Sequence, residues 1–158
     1  MKTAIGILIT LILTGCSKYS AEIISYGIAN NVVTQTESND ALIAGEKHLI
    51  EEWNITKKTQ HVPNKVGTEF GIAYRLNGTA QEATVEIEEI TIFPGEGLTN
   101  PETGRSAKID SEHREISPNV DQYFSYTLDH PWEAKSGTWI FQVLRNGKVV
   151  IEKEFHVQ

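Results

Sequence analysis

The acidic and imidazole side chains are the groups in this chain with the reach for acid–base or metal chemistry, and their spacing argues against both. His48, His61, His113, His130 and His156 are scattered, with no H-x-H, no H-E-x-x-H and no cysteine–histidine spacing, so no metal site is expected. Within "KIDSEHREI", Asp110 and Glu112 fall on one face of a strand and His113 on the other. The reading is a solvated edge strand, because charge keeps exposed edges from pairing with other chains. Glu86, Glu88 and Glu89 supply carboxyls in number. Glycoside hydrolysis needs two of them facing across a cleft, and a solvated strand face is expected instead. "TNPETGRS" lacks the first glycine of a phosphate loop, has arginine in place of the lysine, and is followed by no helical pattern. No serine lies in G-x-S-x-G and no acidic spacing makes a calcium loop. The expectation is a protein with no catalytic residue and no cofactor.

Cys16 remains, the single cysteine. It can form no internal disulfide and no thiolate cluster. What precedes it explains it better. Lys2 gives a positive start, and Ala4 to Leu13 is an apolar run of about ten residues, the length of a signal-peptide core and too short to span a bilayer. Leu13-Thr14-Gly15-Cys16 then resembles the lipobox of bacterial lipoproteins. That resemblance implies cleavage before Cys16, a diacylglyceryl group on its sulfur and an acyl chain such as palmitate on its amino group. Two or more chains hold a protein stably where one does not. Ser17 in place of aspartate implies the outer membrane, facing the periplasm, in a Gram-negative cell. The expected organisation is a signal peptide at 1–15, a lipidated tether at 16–21 and one folded domain at 22–158.

The formal net charge is −7, from 14 basic and 21 acidic residues. Loss of residues 1–15 removes only Lys2 and leaves 13 against 21, or −8. An acidic surface repels phosphate backbones and anionic lipid, so no nucleic-acid partner is expected and membrane attachment rests on the lipid at Cys16.

The elements behind these side chains read as strands. Ile24, Tyr26 and Ile28 alternate, as do Leu49, Trp53 and Ile55, then Phe70, Ile72, Tyr74 and Leu76. So do Phe124, Tyr126 and Leu128, then Trp139, Phe141 and Val143, and finally Val149, Ile151, Phe155 and Val157. Period-two patterns with one apolar face mark half-buried antiparallel strands. "TQTESND", "VPNKVG", "LNGT", "PGEGLTNPETG" and "RNGK" separate them as turns, and "NDALIAGEKH" has room for one helical turn. About seven to eight strands in one domain predict an all-β fold, an immunoglobulin-like antiparallel β-sandwich, with a small barrel or jelly roll as the alternatives. In "TVEIEEITIF" the apolar phase slips between Ile87 and Ile90, which predicts a bulge or kink at Glu88-Glu89. At the last hairpin the pattern favours a three-residue loop, Arg145-Asn146-Gly147, setting Phe141 opposite Ile151 and Val143 opposite Val149. Trp53 and Trp139 are expected in the core, and Trp132 either folded over the sandwich end or exposed as a ligand anchor.

"VPNKVGTEFGIAYRL" (62–76), "NPETG" (100–104), "HPWEAKSGTWIFQV" (130–143) and the closing "EKEFHV" together resemble a bacterial family defined only as a domain of unknown function. The resemblance spans roughly residues 24–157. It implies an immunoglobulin-like sandwich and no activity, and fold alone does not give function.

The expected role is therefore a non-catalytic, lipid-anchored cell-envelope protein that binds another envelope protein or serves structurally. The alternative is a carbohydrate-binding module or sugar-active enzyme. The expected contact surface is the loop 93–106, stiffened by Pro94 and Pro101, with Glu96, Asn100, Glu102 and Arg105 as polar contacts and Leu98 as an apolar one, and with Trp132 as a further candidate.

Overall fold

The computed structural model describes residues 20–78 and 83–158, and every regular element among them is a strand. In chain order these are β1 (Ser20–Ala29), β2 (Val32–Ser38), β3 (Glu46–Glu52), β4 (Ile55–Lys57), β5 (His61–Val62), β6 (Glu69–Asn77), β7 (Val85–Ile92), β8 (Leu98–Thr99), β9 (Ser106–Ala107), β10 (Ile109–Ile116), β11 (Gln122–Thr127), β12 (Gly137–Arg145) and β13 (Lys148–Val157). The signal peptide at 1–15 and Cys16 lie outside the described residues. Ser20 and Ala21, expected in the tether, already pair with Asn77 and Leu76.

Two sheets make the sandwich, one in the order β11-β6-β1-β4 and the other β10-β7-β12-β13-β5. Pairing is antiparallel except where the short β5 runs parallel to β13. The strand count exceeds the expectation because β4, β5, β8 and β9 are two or three residues long, too short for an alternation to register, and because β2, exposed along its whole length, runs into "TQTESND", which reads as a turn. The core lies between the sheets, where Phe70 stacks on Phe141 and meets Trp139 and Phe155 edge-on. Phe70, Ile72, Tyr74, Trp139, Phe141 and Phe155 are wholly buried, as their alternation predicts. Trp53 is not among them: half-buried after β3, it stacks at 4.8 Å on Tyr123 of β11.

Two registers differ from expectation. β1 bulges at Ile24, so Ile23 packs on the core while Ile24 is exposed. The last hairpin turns on two residues, Asn146 and Gly147, both left-handed at φ 50 and 70. This is the turn type whose twist matches paired strands. The face mismatch such a turn creates is absorbed by a bulge at Val150, so Leu144 pairs with Val149, Val143 with Ile151 and Phe141 with Lys153. Val149 consequently faces solvent. The pattern demanded a one-residue correction, and the chain makes it in the strand rather than in the loop. Lys153 faces inward, its ammonium 3.8 Å from the centre of the Tyr26 ring.

Candidate ligand-binding cleft

β10 and β11 are edge strands of opposite sheets, and Arg114 Nη1 reaches from one to the carbonyl of Tyr123 on the other at 3.4 Å. The hairpin β2–β3 joins neither sheet. Side chains from β3, β7, β10 and β11 line a cleft of about 370 Å³ between this hairpin and the two sheet edges.

The floor of the cleft explains the phase slip in β7. The strand has no bulge: it pairs in unbroken register with β10 and β12, and alternation continues through Glu88-Glu89. Val85, Ile87, Glu89 and Thr91 all face inward, so the expected kink is replaced by two polar side chains on a buried face. Glu89 is 5% exposed, not solvated. Its Oε1 accepts the Tyr74 hydroxyl at 2.7 Å and Arg114 Nη1 at 2.8 Å, so the trio ties β6, β7 and β10 across the sandwich. A buried charge is tolerated only when so paired. Burial still raises the Glu89 pKa above the usual carboxylate value, with Arg114 and Tyr74 opposing. Burial likewise raises the Tyr74 phenol.

β10 is the edge strand the sequence predicts, with His113 exposed. Its other face is not solvated. Glu112 is half-buried and paired with Lys47, and Asp110 is 8% exposed, accepting the amide of Ile43 at 2.9 Å. Glu133, after β11, is wholly buried and accepts the Tyr126 hydroxyl and the His130 amide, both at 2.7 Å. Burial raises its pKa and that of Glu69, which Ser125 and Asn31 hydrogen-bond. At the mouth, His48 Nε2 lies 2.9 Å from Asp129 Oδ2, with Glu46 two residues earlier on β3. Seven carboxyl groups thus line the cleft against two permanent cations, Lys47 and Arg114.

Burial pushes the Asp110 pKa up to about 6 from 3.8, with the Ile43 amide and Arg105 pulling down and Glu133 pushing up. The folded protein therefore holds this proton to higher pH than the unfolded chain. The contribution of Asp110 to stability is fullest below pH 3.8 and falls as pH rises through about 6. Asp110→Asn keeps an acceptor for Ile43 but cannot ionise. Its stability relative to wild type is expected to rise across that window, by at most about 1.4 kcal/mol per pH unit, and to level off above it. Urea denaturation at a series of pH values measures this, and a difference that stays flat sinks the assignment.

The loop expected to make contacts is instead largely a bracket. Leu98 and Asn100 are 1% and 5% exposed, which corrects the expectation that they meet a partner. Asn100 Oδ1 accepts the amides of Glu102 and Thr103, and its Nδ2 donates to Ile43 O at 3.1 Å. Arg105 Nη1 donates to Asp40 O at 2.6 Å. Ile43 is thus held on both sides, by Asp110 and Asn100, and the "NDALIAGEKH" segment forms hydrogen-bonded turns rather than a helical one. Gly97 is required here: its φ is 88, and a Cβ would stand 2.0 Å from Ala107 O. Glu96 and Glu102 are exposed, Glu96 in an ion pair with Lys108. Trp132 is half-buried against the core with its ring stacked on His130.

Sequence reasoning missed the cleft because its groups come from distant positions: His48 and Asp129 are 81 residues apart. The one local signal was the slip at Glu88-Glu89.

A family model described as a domain of unknown function (DUF3859) matches residues 17–157. Among solved structures, the chain is similar to an immunoglobulin-like protein from Pseudomonas aeruginosa, at 24% identity and a TM-score of 0.64, over 91% of this chain and 100% of that one. A second likeness, to the alkylpurine DNA glycosylase AlkC of Pseudomonas fluorescens bound to DNA containing an abasic site analog, has 16% identity and a TM-score of 0.38 over 63% of this chain and 28% of that one, and carries no argument. No curated protein matches the chain. The first likeness shows the fold alone, an immunoglobulin-like sandwich.

Proposed function

Since the chain belongs to the DUF3859 family, whose function is unknown, its role must be argued from its own side chains, and we propose that it is a non-catalytic, lipid-anchored envelope domain that presents the acidic cleft to a positively charged ligand or protein segment. The observation that carries this reading is the excess of carboxyls over cations in a cleft of about 370 Å³. A concave site with converging polar groups and burial-shifted acids is the usual form of a binding site. The lipobox-like Leu13-Thr14-Gly15-Cys16 supports the anchor. The carbohydrate alternative has less support, because stacking a sugar needs open aromatic faces. Trp139 is wholly buried, Trp132 is covered by His130, and Trp53 is covered by Tyr123.

Two measurements test the proposal. Cys16→Ala is expected to release the domain from the membrane fraction or to trap uncut precursor; normal processing with retention at the membrane overturns the anchor. A photo-crosslinking residue placed at Tyr123, exposed beside the cleft, is expected to capture partners in intact cells that the same residue at Glu154, exposed on β13, does not. Identical capture at both positions overturns the cleft.

A further inference from the structure

Glu46 and His48 stand two residues apart on β3 and so face the same side of the strand, and both line the cleft. Asp129 reaches the same point from the segment after β11. One carboxylate oxygen from each acid and one ring nitrogen of His48 lie within 4.8 Å of one another. The imidazole is held from behind. Thr36 sits directly opposite His48 in the β2–β3 ladder, with its Oγ1 2.9 Å from Nδ1. When the hydroxyl accepts the Nδ1 proton, the Nε2 lone pair is left facing Asp129. Metal-binding imidazoles are positioned in this way, by an oxygen on the ring nitrogen that does not bind the metal.

Asp110, 8% exposed and lining the same cleft, adds a further carboxyl there, its Oδ1 taking the Ile43 amide.

We propose that Glu46, His48 and Asp129 bind a divalent transition-metal ion of the zinc class at the mouth of the cleft, leaving the remaining coordination positions open to water or to a ligand. One imidazole nitrogen with two carboxylate oxygens suits such an ion better than calcium or magnesium, which take oxygen alone. Bonds of 2.0–2.2 Å to a tetrahedral ion place two ligand atoms roughly 3.4 Å apart. Binding therefore needs only small adjustments: His48 Nε2 and Asp129 Oδ2, now 2.9 Å apart, separate slightly, and all three ligand atoms already lie within 4.8 Å of one another on side chains that are half-buried or exposed. Three protein ligands and an open position characterise sites that bind or activate a further molecule rather than staple a fold. The inference deepens the cleft reading and rests on it for the site's location.

The test titrates the tag-free, full-length chain in mild detergent with Zn²⁺ alone, by calorimetry and by thermal shift, with Mg²⁺ and Ca²⁺ in parallel. One equivalent of Zn²⁺ is expected to bind with a Kd of about 1 μM or tighter and to raise the melting temperature, while Mg²⁺ and Ca²⁺ do neither. His48→Gln and Glu46→Gln should each weaken binding at least tenfold. Thr36→Val, which touches no metal, should weaken it about tenfold through the imidazole's orientation. Glu154→Gln should leave it unchanged. Absence of saturable Zn²⁺ binding by the wild type overturns the proposal without recourse to any variant, as does binding indifferent to both His48→Gln and Glu46→Gln. If Zn²⁺ fails to bind while Tyr123 still captures partners, the metal is wrong and the cleft stands; the converse result leaves the metal and removes the partner.

Discussion

Trp139→Ala is expected to destabilise the domain by about 3–5 kcal/mol, the largest single effect of any substitution argued for this protein. The ring is wholly buried at the meeting point of the two sheets, with Phe70, Phe93 and Tyr126 around it at centroid distances of 5.0–5.6 Å. Its Nε1 donates to Lys135 O at 3.0 Å. Truncation removes the transfer free energy of the indole, opens a cavity that close packing cannot refill, and strands the Lys135 carbonyl. Set against a total stability of about 5–15 kcal/mol, the loss should lower the melting temperature by about 10 °C or more. Trp53→Ala is the internal control. That ring is half-buried against the exposed Tyr123, and its truncation should cost on the order of 1 kcal/mol. Urea denaturation of both variants decides the matter, and equal losses would mean that Trp139 is not where the core is.

The second large effect belongs to the buried ion pair. Arg114→Met should cost about 3 kcal/mol at neutral pH, because it leaves the carboxylate of Glu89 buried with only the Tyr74 hydroxyl as partner. The sign of the pH dependence follows. Burial already raises the Glu89 pKa, and Arg114 is the main force holding it down. Without Arg114 the folded-state pKa climbs further above the unfolded value. The penalty is then fully developed only above that raised pKa and shrinks as pH falls and Glu89 takes up a proton. The loss should therefore be smaller at pH 5 than at pH 7.5, and Glu89→Gln added to Arg114→Met should recover most of it. A penalty independent of pH and not relieved by Glu89→Gln would show that Arg114 acts by packing alone.

Strand identity was legible in the sequence because alternation is a property of adjacent residues. Phe70, Ile72, Tyr74 and Leu76 lie inward, as do Trp139, Phe141 and Val143, whatever the rest of the chain does. The hairpin at Asn146-Gly147 was legible but not its length: the hydrophobic pattern pointed to a three-residue loop, whereas the left-handed conformation of both residues makes a two-residue turn. What alternation does not carry is the response to a mismatch. At β13 the chain inserted Val150 as a bulge and moved every later β13 residue one position toward the C-terminus of β12, so that Phe141 meets Lys153. At β7 it did the opposite, keeping the ladder straight and turning Glu89 and Thr91 inward. The difference is set by long-range partners. Tyr74 and Arg114, 15 and 25 residues away, make a buried Glu89 tolerable, and no window of sequence contains all three roles. The same holds for the cleft. β10 and β11 edge opposite sheets and are bridged by Arg114, and Asp129 meets His48 across 81 residues. The sequence by itself determined that this is an all-β chain with an acidic balance and a lipobox-like start. Tertiary structure alone decided which carboxyls are buried, because burial of a charge depends on what the other sheet brings to it.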